Sequence, residues 1–384
     1  SEGVNGRGRT PYSGLSIMSL RSRVLPPLAL VAGSVLLTLL VLEIGFRLAH
    51  VPVGTVQINR ATVRRSSNPR LKFELRPGSV ARAEVEYRVN AEGLRGPEVS
   101  RAKPQGTRRV AVLGDSIAFG YWVAEEDALA RQLEGLLGEV QGDGPPVEVL
   151  NFGVPGYNLG QEVETLRSRA LAFEPDVVVV AFCLNDLEGL VSYELGLVQD
   201  RATRRRSAAG WLRESLVGHS RFFAWVEYRL AEREARRQFV RLRNPLSGPP
   251  DEDALEKQRR TLSARVGTLQ ALLAPRGIEA VVAVFPSFTG SWDSYPHAGL
   301  HRAVTEAAEE SGLLPVDLFR CYAGYHYRKV RVDVVHPSPL GHRVAAHALR
   351  DALCSRRILW PAPLADTRTC RDYDPADFPT VRGY

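Results

Sequence analysis

The chain has 384 residues, of which 44% are hydrophobic and 24% are charged, and its formal net charge is +7. This is ordinary globular composition, which excludes a globally disordered chain. The basic excess is confined to residues 201–243, where twelve Arg and four Glu give +8 and leave the remainder near −1. That confinement argues against a general nucleic-acid-binding surface. The four cysteines form no CxxC pair, which argues against a zinc site.

Residues 1–23 form a polar N-terminal tail, and residues 24–46 are predicted to be a transmembrane signal anchor. Val24–Leu42 is an uncharged run of 19 residues, enough to approach a hydrocarbon core of roughly 30 Å. A cleaved signal peptide has a shorter core, and a buried core helix rarely forms an N-terminal run that is apolar throughout. Arg21 and Arg23 precede the run and favour a cytoplasmic N-terminus.

This orientation places the rest of the chain in the periplasm or on the outer face of the cell membrane. Such a location permits disulfides. Cys354 and Cys370 flank a Pro-containing segment, and they either pair or remain free buried thiols.

Residues 47–107 are predicted to be a β-rich lead-in that packs on the main domain. Arg76-Pro77-Gly78 and Glu92-Gly93 read as turns, and Ala83–Val89 alternates like a short strand. No catalytic chemistry is assigned to this region.

Strands and helices alternate over residues 108–354. Five apolar segments are predicted to be buried strands: Arg109–Leu113, Val147–Asn151, Asp176–Phe182, Ile278–Phe285 and Leu314–Leu318. Five segments have helical spacing: Ala128–Val140, Gln161–Phe173, Glu256–Leu273, His301–Ser311 and Gly341–Leu353. This order predicts a three-layer α/β/α domain with a flavodoxin-like parallel sheet, whose sites lie at the carboxyl ends of the strands.

Residues 187–250 interrupt this alternation as a basic insertion with helical spacing, and residues 355–384 form an irregular C-terminal tail. The insertion interleaves aromatic residues such as Trp211 and Trp225 with arginines. It is either a cap helix with a solvated basic face or a surface for anionic lipid or an acidic polymer.

Four polar or glycine clusters end strands or precede helices at one predicted edge: Gly114-Asp115-Ser116, Asn151-Phe152-Gly153, Cys183-Leu184-Asn185-Asp186 and Asp333-Val334-Val335-His336. Serine becomes a nucleophile when a base such as His336 takes its proton, and Asp333 can fix the imidazole tautomer. The backbone N–H groups of Ser116 and Gly153 and the Asn185 amide are candidate oxyanion donors. A glycine at position 153 is expected to let its backbone approach the substrate closely.

These blocks resemble those of the SGNH/GDSL hydrolases over about residues 108–353. The sequence GDS at residues 114–116 matches the first block of the family, and Gly153 matches the glycine of the second block. The sequence CLND at residues 183–186 matches the GxND block, and DVVH at residues 333–336 matches the DxxH block. The resemblance implies the SGNH hydrolase fold, with Ser116 as nucleophile, His336 as base, and Gly153 and Asn185 completing the oxyanion hole. Cys183 departs from the family, which often has glycine there.

We therefore expect an ester hydrolase that acts on a lipid or an acylated glycan through an acyl-enzyme, without metal or cofactor. Asp115, Asp186 and His342 are interpreted as structural. Two alternatives remain: an O-acyltransferase that uses the same Ser-His-Asp set, and a non-catalytic glycan- or lipid-binding protein.

Overall fold

A computed structural model of the chain describes residues 17–49, 51, 55–142, 144–183, 186, 207–227, 229–230, 233, 252–288, 292, 295 and 297–359. The strands are β1 (Val63–Arg65), β2 (Phe73–Leu75), β3 (Val80–Arg82), β4 (Glu86–Arg88), β5 (Arg108–Gly114), β6 (Val147–Asn151), β7 (Val177–Phe182), β8 (Glu279–Val284) and β9 (Leu314–Asp317). The helices are α1 (Ile17–Leu48), α2 (Thr55–Thr62), α3 (Ser116–Phe119), α4 (Leu129–Val140), α5 (Leu159–Ser168), α6 (Ala208–His219), α7 (Glu252–Leu273), α8 (Ala298–Glu310), α9 (Phe319–Tyr322) and α10 (Pro339–Ser355).

The main domain is built on a parallel sheet with strand order β6-β5-β7-β8-β9. Its strands are apolar because both faces are covered, and every residue of β7 is buried. One face packs on α4 and α10 through residues such as Leu133 and Leu349, and the other packs on α5, α7 and α8 through residues such as Leu166 and Leu269. The predicted three-layer α/β/α fold is confirmed.

Helix boundaries differ from the prediction where a cap sets them. Helix α5 begins two residues early, because Asn158 and Gln161 form a capping box, and it ends at Ser168 before a separate 3-10 turn over Ala170–Phe173. Helix α10 begins at Pro339, because the Ser338 side chain accepts a hydrogen bond from the Gly341 N–H.

The lead-in packs on the main domain beside the carboxyl end of β5. It comprises α2 and two antiparallel hairpins, β1–β2 and β3–β4. The strand predicted over Ala83–Val89 is instead a turn followed by β4, since the Ala83 N–H bonds to the Val85 carbonyl. Tyr87 and neighbouring apolar residues form one core with Phe119 and Tyr121 of the main domain.

Helix α1 contains a 22-residue segment, Pro27–Leu48, whose most apolar 18-residue window has a mean hydropathy of 2.3 and no buried residue. Its length and composition suit a membrane span, although a signal sequence has the same properties. Cys321 is disulfide-bonded, whereas Cys183 and Cys354 are buried thiols that form no disulfide. The alternative of a Cys354–Cys370 disulfide is therefore wrong.

Candidate active site

Ser116 begins α3, directly after the tight turn that follows β5. A Cβ at Gly114 would lie 2.7 Å from the Ala118 Cβ, so the turn requires glycine there. Asp115 caps α3, because its Oδ1 accepts a hydrogen bond of 2.8 Å from the Ile117 N–H. Ser116 is therefore the first helical residue rather than the cap, and its hydroxyl is left for other contacts.

Ser116, His336 and Asp333 form one hydrogen-bonded chain. The His336 Nε2 lies 2.9 Å from the Ser116 Oγ, and the His336 Nδ1 lies 2.8 Å from the Asp333 Oδ2. With Asp333 ionised, Nδ1 carries the proton and the lone pair of Nε2 faces the serine hydroxyl. These three predicted residues come together from the carboxyl end of β5 and from the loop before α10.

The Asp333 carboxylate is held in place by several donors. Its Oδ1 accepts hydrogen bonds of 2.8 Å from the backbone N–H groups of Val335 and His336. Burial raises the pKa of Asp333, but the charge and hydrogen bonds of His336 outweigh that effect and hold this pKa well below its usual range. The carboxylate is therefore ionised at neutral pH and available to orient the imidazole.

Two aromatic residues that follow α3 also contact the chain. The Trp122 Nε1 donates a hydrogen bond of 3.1 Å to the Asp333 Oδ2. The Tyr121 ring packs edge-on against the His336 ring with a centroid distance of 5.5 Å. Sequence reasoning missed both, because contacts between residues 211 and 215 positions apart leave no local signal.

The lead-in holds this aromatic segment in position. Arg95 is buried and donates hydrogen bonds to the carbonyls of Phe119, Gly120 and Val123, and burial lowers the pKa of Arg95 to about 10. The Tyr87 hydroxyl accepts a hydrogen bond of 2.8 Å from the Trp122 N–H. A region to which the sequence assigned no chemistry thus fixes the loop beside the triad.

Gly153 has a different role from the one predicted. Its N–H donates a hydrogen bond of 2.9 Å to the Asn151 Oδ1 and so does not point towards a substrate. A Cβ at this position would lie 2.3 Å from the Phe119 N, so glycine is needed for close packing against α3. By contrast, no acceptor for the N–H of Ser116 or Gly156 is found among the described residues.

Asn185 lies outside the described residues, but Cys183 and Asp186 close to it in the chain are described. The Cys183 N–H donates a hydrogen bond of 2.7 Å to the Asp186 Oδ2, and the Cys183 thiol donates one of 3.2 Å to the Asp115 Oδ2. The cysteine that departs from the family pattern therefore links the turn before Asn185 to the residue before Ser116.

A buried carboxyl pair lies beneath these loops. Glu162 and Asp186 are both buried, and burial together with neighbouring negative charge raises the pKa of each well above its ordinary value. Both oxygens of Glu162 and the Asp186 Oδ1 have no donor among the described groups, and a proton shared between the two carboxyls would satisfy one oxygen of each. Asp115, Cys183 and Asp186 also offer ligand atoms within 4.8 Å of one another. These atoms are already engaged in the hydrogen bonds described above, and we assign no metal to them.

His342 is fully buried, and burial lowers its pKa to about 3. It is therefore neutral at physiological pH, in keeping with the structural interpretation of this residue.

The sequence model of the GDSL-like Lipase/Acylhydrolase family matches residues 112–344. No curated protein matches the chain. A lipase/acylhydrolase from Enterococcus faecalis is structurally similar at 15% identity and a TM-score of 0.40, with 65% of this chain and 96% of that chain covered. An acetyl xylan esterase variant from Geobacillus stearothermophilus is structurally similar at 17% identity and a TM-score of 0.40, with 68% of this chain and 99% of that chain covered. The family match spans more than half of the sequence, and the chain belongs to the GDSL-like lipase/acylhydrolase family of ester-hydrolysing enzymes.

Proposed function

We propose that this enzyme cleaves a carboxylic ester of a lipid or an acylated carbohydrate outside the cytoplasm, with Ser116 as the nucleophile. The observation that carries the proposal is the hydrogen-bonded chain from the Ser116 Oγ through His336 to Asp333, at 2.9 and 2.8 Å. Such a chain supplies a nucleophile, a base and a group that orients the base.

In the first half of the reaction, the Ser116 Oγ attacks the ester carbonyl carbon and passes its proton to the His336 Nε2. The resulting imidazolium is stabilised by the ionised Asp333. When the tetrahedral intermediate collapses, the bond to the leaving oxygen breaks and that oxygen takes the proton from Nε2. The alcohol departs and an acyl-serine remains.

In the second half, water attacks the acyl carbon and gives a proton to the His336 Nε2. Collapse of this second intermediate breaks the bond to the Ser116 Oγ, which recovers the proton, and the carboxylic acid leaves. All proton transfers pass through one nitrogen atom that lies within hydrogen-bond distance of the serine.

For the oxyanion, we assign the Ser116 N–H, the Asn185 side-chain amide and the Gly156 N–H. Gly156 replaces the predicted Gly153, because the Gly153 N–H is occupied by Asn151. The turn that carries Gly156 runs beside the nucleophile, since the Val154 N–H bonds to the Gly114 carbonyl at 3.0 Å. Preorganised donors of this kind stabilise the charge that develops in the transition state.

Two features support a location outside the cytoplasm. The segment Pro27–Leu48 suits a membrane anchor, and Arg21 and Arg23 precede it. The disulfide at Cys321 suits an oxidising compartment.

Ester hydrolysis by a Ser116→Ala variant tests the proposal, with acetyl and long-chain esters and an acetylated glycan as substrates. The rate should fall by roughly 10³ or more, whereas Ser168→Ala, a serine change on α5 away from the triad, should retain activity. Near-normal turnover by a folded Ser116→Ala protein would refute the assignment of Ser116 as the nucleophile. Transfer of the acyl group to a glycan hydroxyl in preference to water would reassign the enzyme as an acyltransferase.

A further inference from the structure

The described part of the basic insertion docks on the end of α1. Two helical segments, α6 and residues 221–227 with 229–230, follow each other at Ser220, and we name them the helix pair. The Glu43 carboxylate of α1 accepts hydrogen bonds from the Ser220 hydroxyl at 2.6 Å and from the N–H groups of Arg221 and Phe222 at 3.1 Å each. Glu43 thus caps the second segment from outside.

Aromatic packing and a second ionic side chain extend this contact. The Phe46 ring meets Phe222 at a centroid distance of 5.5 Å and Trp225 at 5.3 Å. The Arg47 guanidinium donates a hydrogen bond of 3.1 Å to the His219 carbonyl. Glu43, Phe46 and Arg47 all lie near the end of the segment Pro27–Leu48, so the helix pair is held where that segment would leave the hydrocarbon.

The helix pair also exposes large apolar side chains. Trp211 is 60% exposed, Leu212 52% and Leu230 57%, and the basic residues Arg213 and Arg229 beside them are exposed as well. Tryptophan and leucine interleaved with arginine are typical of helices that lie in the headgroup layer of a bilayer. The +8 charge of residues 201–243 suits anionic headgroups.

We propose that the helix pair is a membrane-interface element: Glu43 and Phe46 hold it against the anchor, and Trp211, Leu212 and Leu230 insert into the headgroup layer of the leaflet where α1 ends. The proposal rests on the membrane anchoring proposed above. We assign the phospholipid surface as the partner of these exposed side chains, because the helix pair is held against the anchor. Trp211 lies eight helical residues from His219, which contacts the anchor, so the bilayer surface is within about 12 Å of Trp211.

This arrangement has a consequence for the substrate. Gly218 of α6 lies against α2, where an added Cβ would be 3.4 Å from the Arg60 Nη1. Asn59, the neighbour of Arg60 in α2, accepts a hydrogen bond from the Tyr121 hydroxyl. The Tyr121 ring in turn packs on the His336 ring of the triad. The triad therefore lies on the side of the domain that adjoins the helix pair, and this placement favours an amphiphilic ester at the bilayer surface as the substrate.

The test uses the full-length protein reconstituted in vesicles of phosphatidylcholine with a minority of phosphatidylglycerol. Leu212→Cys and Leu230→Cys variants carry an environment-sensitive fluorophore, and Arg276→Cys, at an exposed turn before β8, is the matched control. Iodide reports exposure to water, and nitroxide-labelled lipid reports contact with the bilayer. Flotation that resists carbonate verifies insertion, and hydrolysis of a short soluble ester verifies the fold.

The fluorophores at positions 212 and 230 should show several-fold weaker quenching by iodide than the one at 276, and only they should be quenched by the labelled lipid. Strong quenching by iodide without quenching by lipid, in protein that floats, would overturn the proposal. Protection from both quenchers would mean that a protein covers this face, which also overturns it. If the protein failed to float, the proposed membrane anchor and with it the membrane-interface element would be refuted, whereas the proposed esterase mechanism would be unaffected.

Discussion

Replacing Trp122 with Phe tests whether the loop after α3 positions the triad. The substitution removes the indole N–H that donates to the Asp333 Oδ2 at 3.1 Å and keeps an aromatic ring in place. The same oxygen also accepts from the His336 Nδ1 at 2.8 Å, so the loss loosens the carboxylate that orients the base. We expect a lower kcat with little change in KM, because Trp122 acts through Asp333 rather than on the substrate.

The magnitude follows from the hydrogen bond and its exposure. A hydrogen bond to a charged group contributes about 1.5–3 kcal/mol when it is buried. The Asp333 side chain is 37% exposed, and water can replace part of the lost donor. We therefore expect a loss near 1 kcal/mol, which corresponds to a roughly five-fold lower kcat.

Trp292→Phe is the matched control, because it also removes a partly buried indole N–H, one that donates to the Tyr325 carbonyl at 2.7 Å. Steady-state kinetics on a short ester and thermal unfolding of both variants separate positioning from stability. A wild-type kcat in folded Trp122→Phe protein, or an equal fall in kcat in Trp292→Phe, would refute the reasoning.

Three further predictions concern residues around Ser116. Asn185→Ala should lower kcat by on the order of 10²–10³ with little change in KM, and a pure KM effect would make Asn185 a ground-state binding residue. Burial and neighbouring charge raise the pKa of Glu162 in the folded state. Above about pH 4.3 the folded protein therefore keeps a proton on Glu162 that the unfolded protein releases, and the free energy of unfolding falls as pH rises. Glu162→Gln should remove up to about 1.4 kcal/mol per pH unit of that slope above about pH 4.3, and identical slopes in denaturant unfolding would contradict the shared proton. Gly153→Ala should destabilise the fold by about 2 kcal/mol, because its Cβ would lie 2.3 Å from backbone, whereas Gly138→Ala, with open space around it, should not.

Much of the fold is visible in the sequence because burial leaves a local pattern. The run Val177–Phe182 is apolar throughout because both of its faces are covered, and its position matches the prediction to one residue. Ser116, Asp333 and His336 were predictable because each stands in a short motif at the end of an element. Their approach to within hydrogen-bond distance follows from the parallel sheet, which brings these ends to one edge.

The remaining features depend on contacts between distant residues or on the direction of a single group. Arg95 reaches carbonyls 24 to 28 positions away, and Glu43 caps a helix 177 to 179 positions away. A motif cannot tell where a backbone N–H points, which is why Gly153 was assigned to the oxyanion and is found bonded to Asn151. Hydrophobic periodicity likewise indicated helices in the insertion but not that they dock on α1.

Mass spectrometry after reaction with a fluorophosphonate tests the central claim most directly. The Ser116 Oγ should displace fluoride and carry the phosphonyl group, because His336 at 2.9 Å removes its proton. We predict a single adduct on the peptide that contains Ser116, complete loss of ester hydrolysis with it, and much slower labelling in His336→Ala. Continued ester hydrolysis with Ser116 fully modified, or inactivation through an adduct on another residue, would contradict the account.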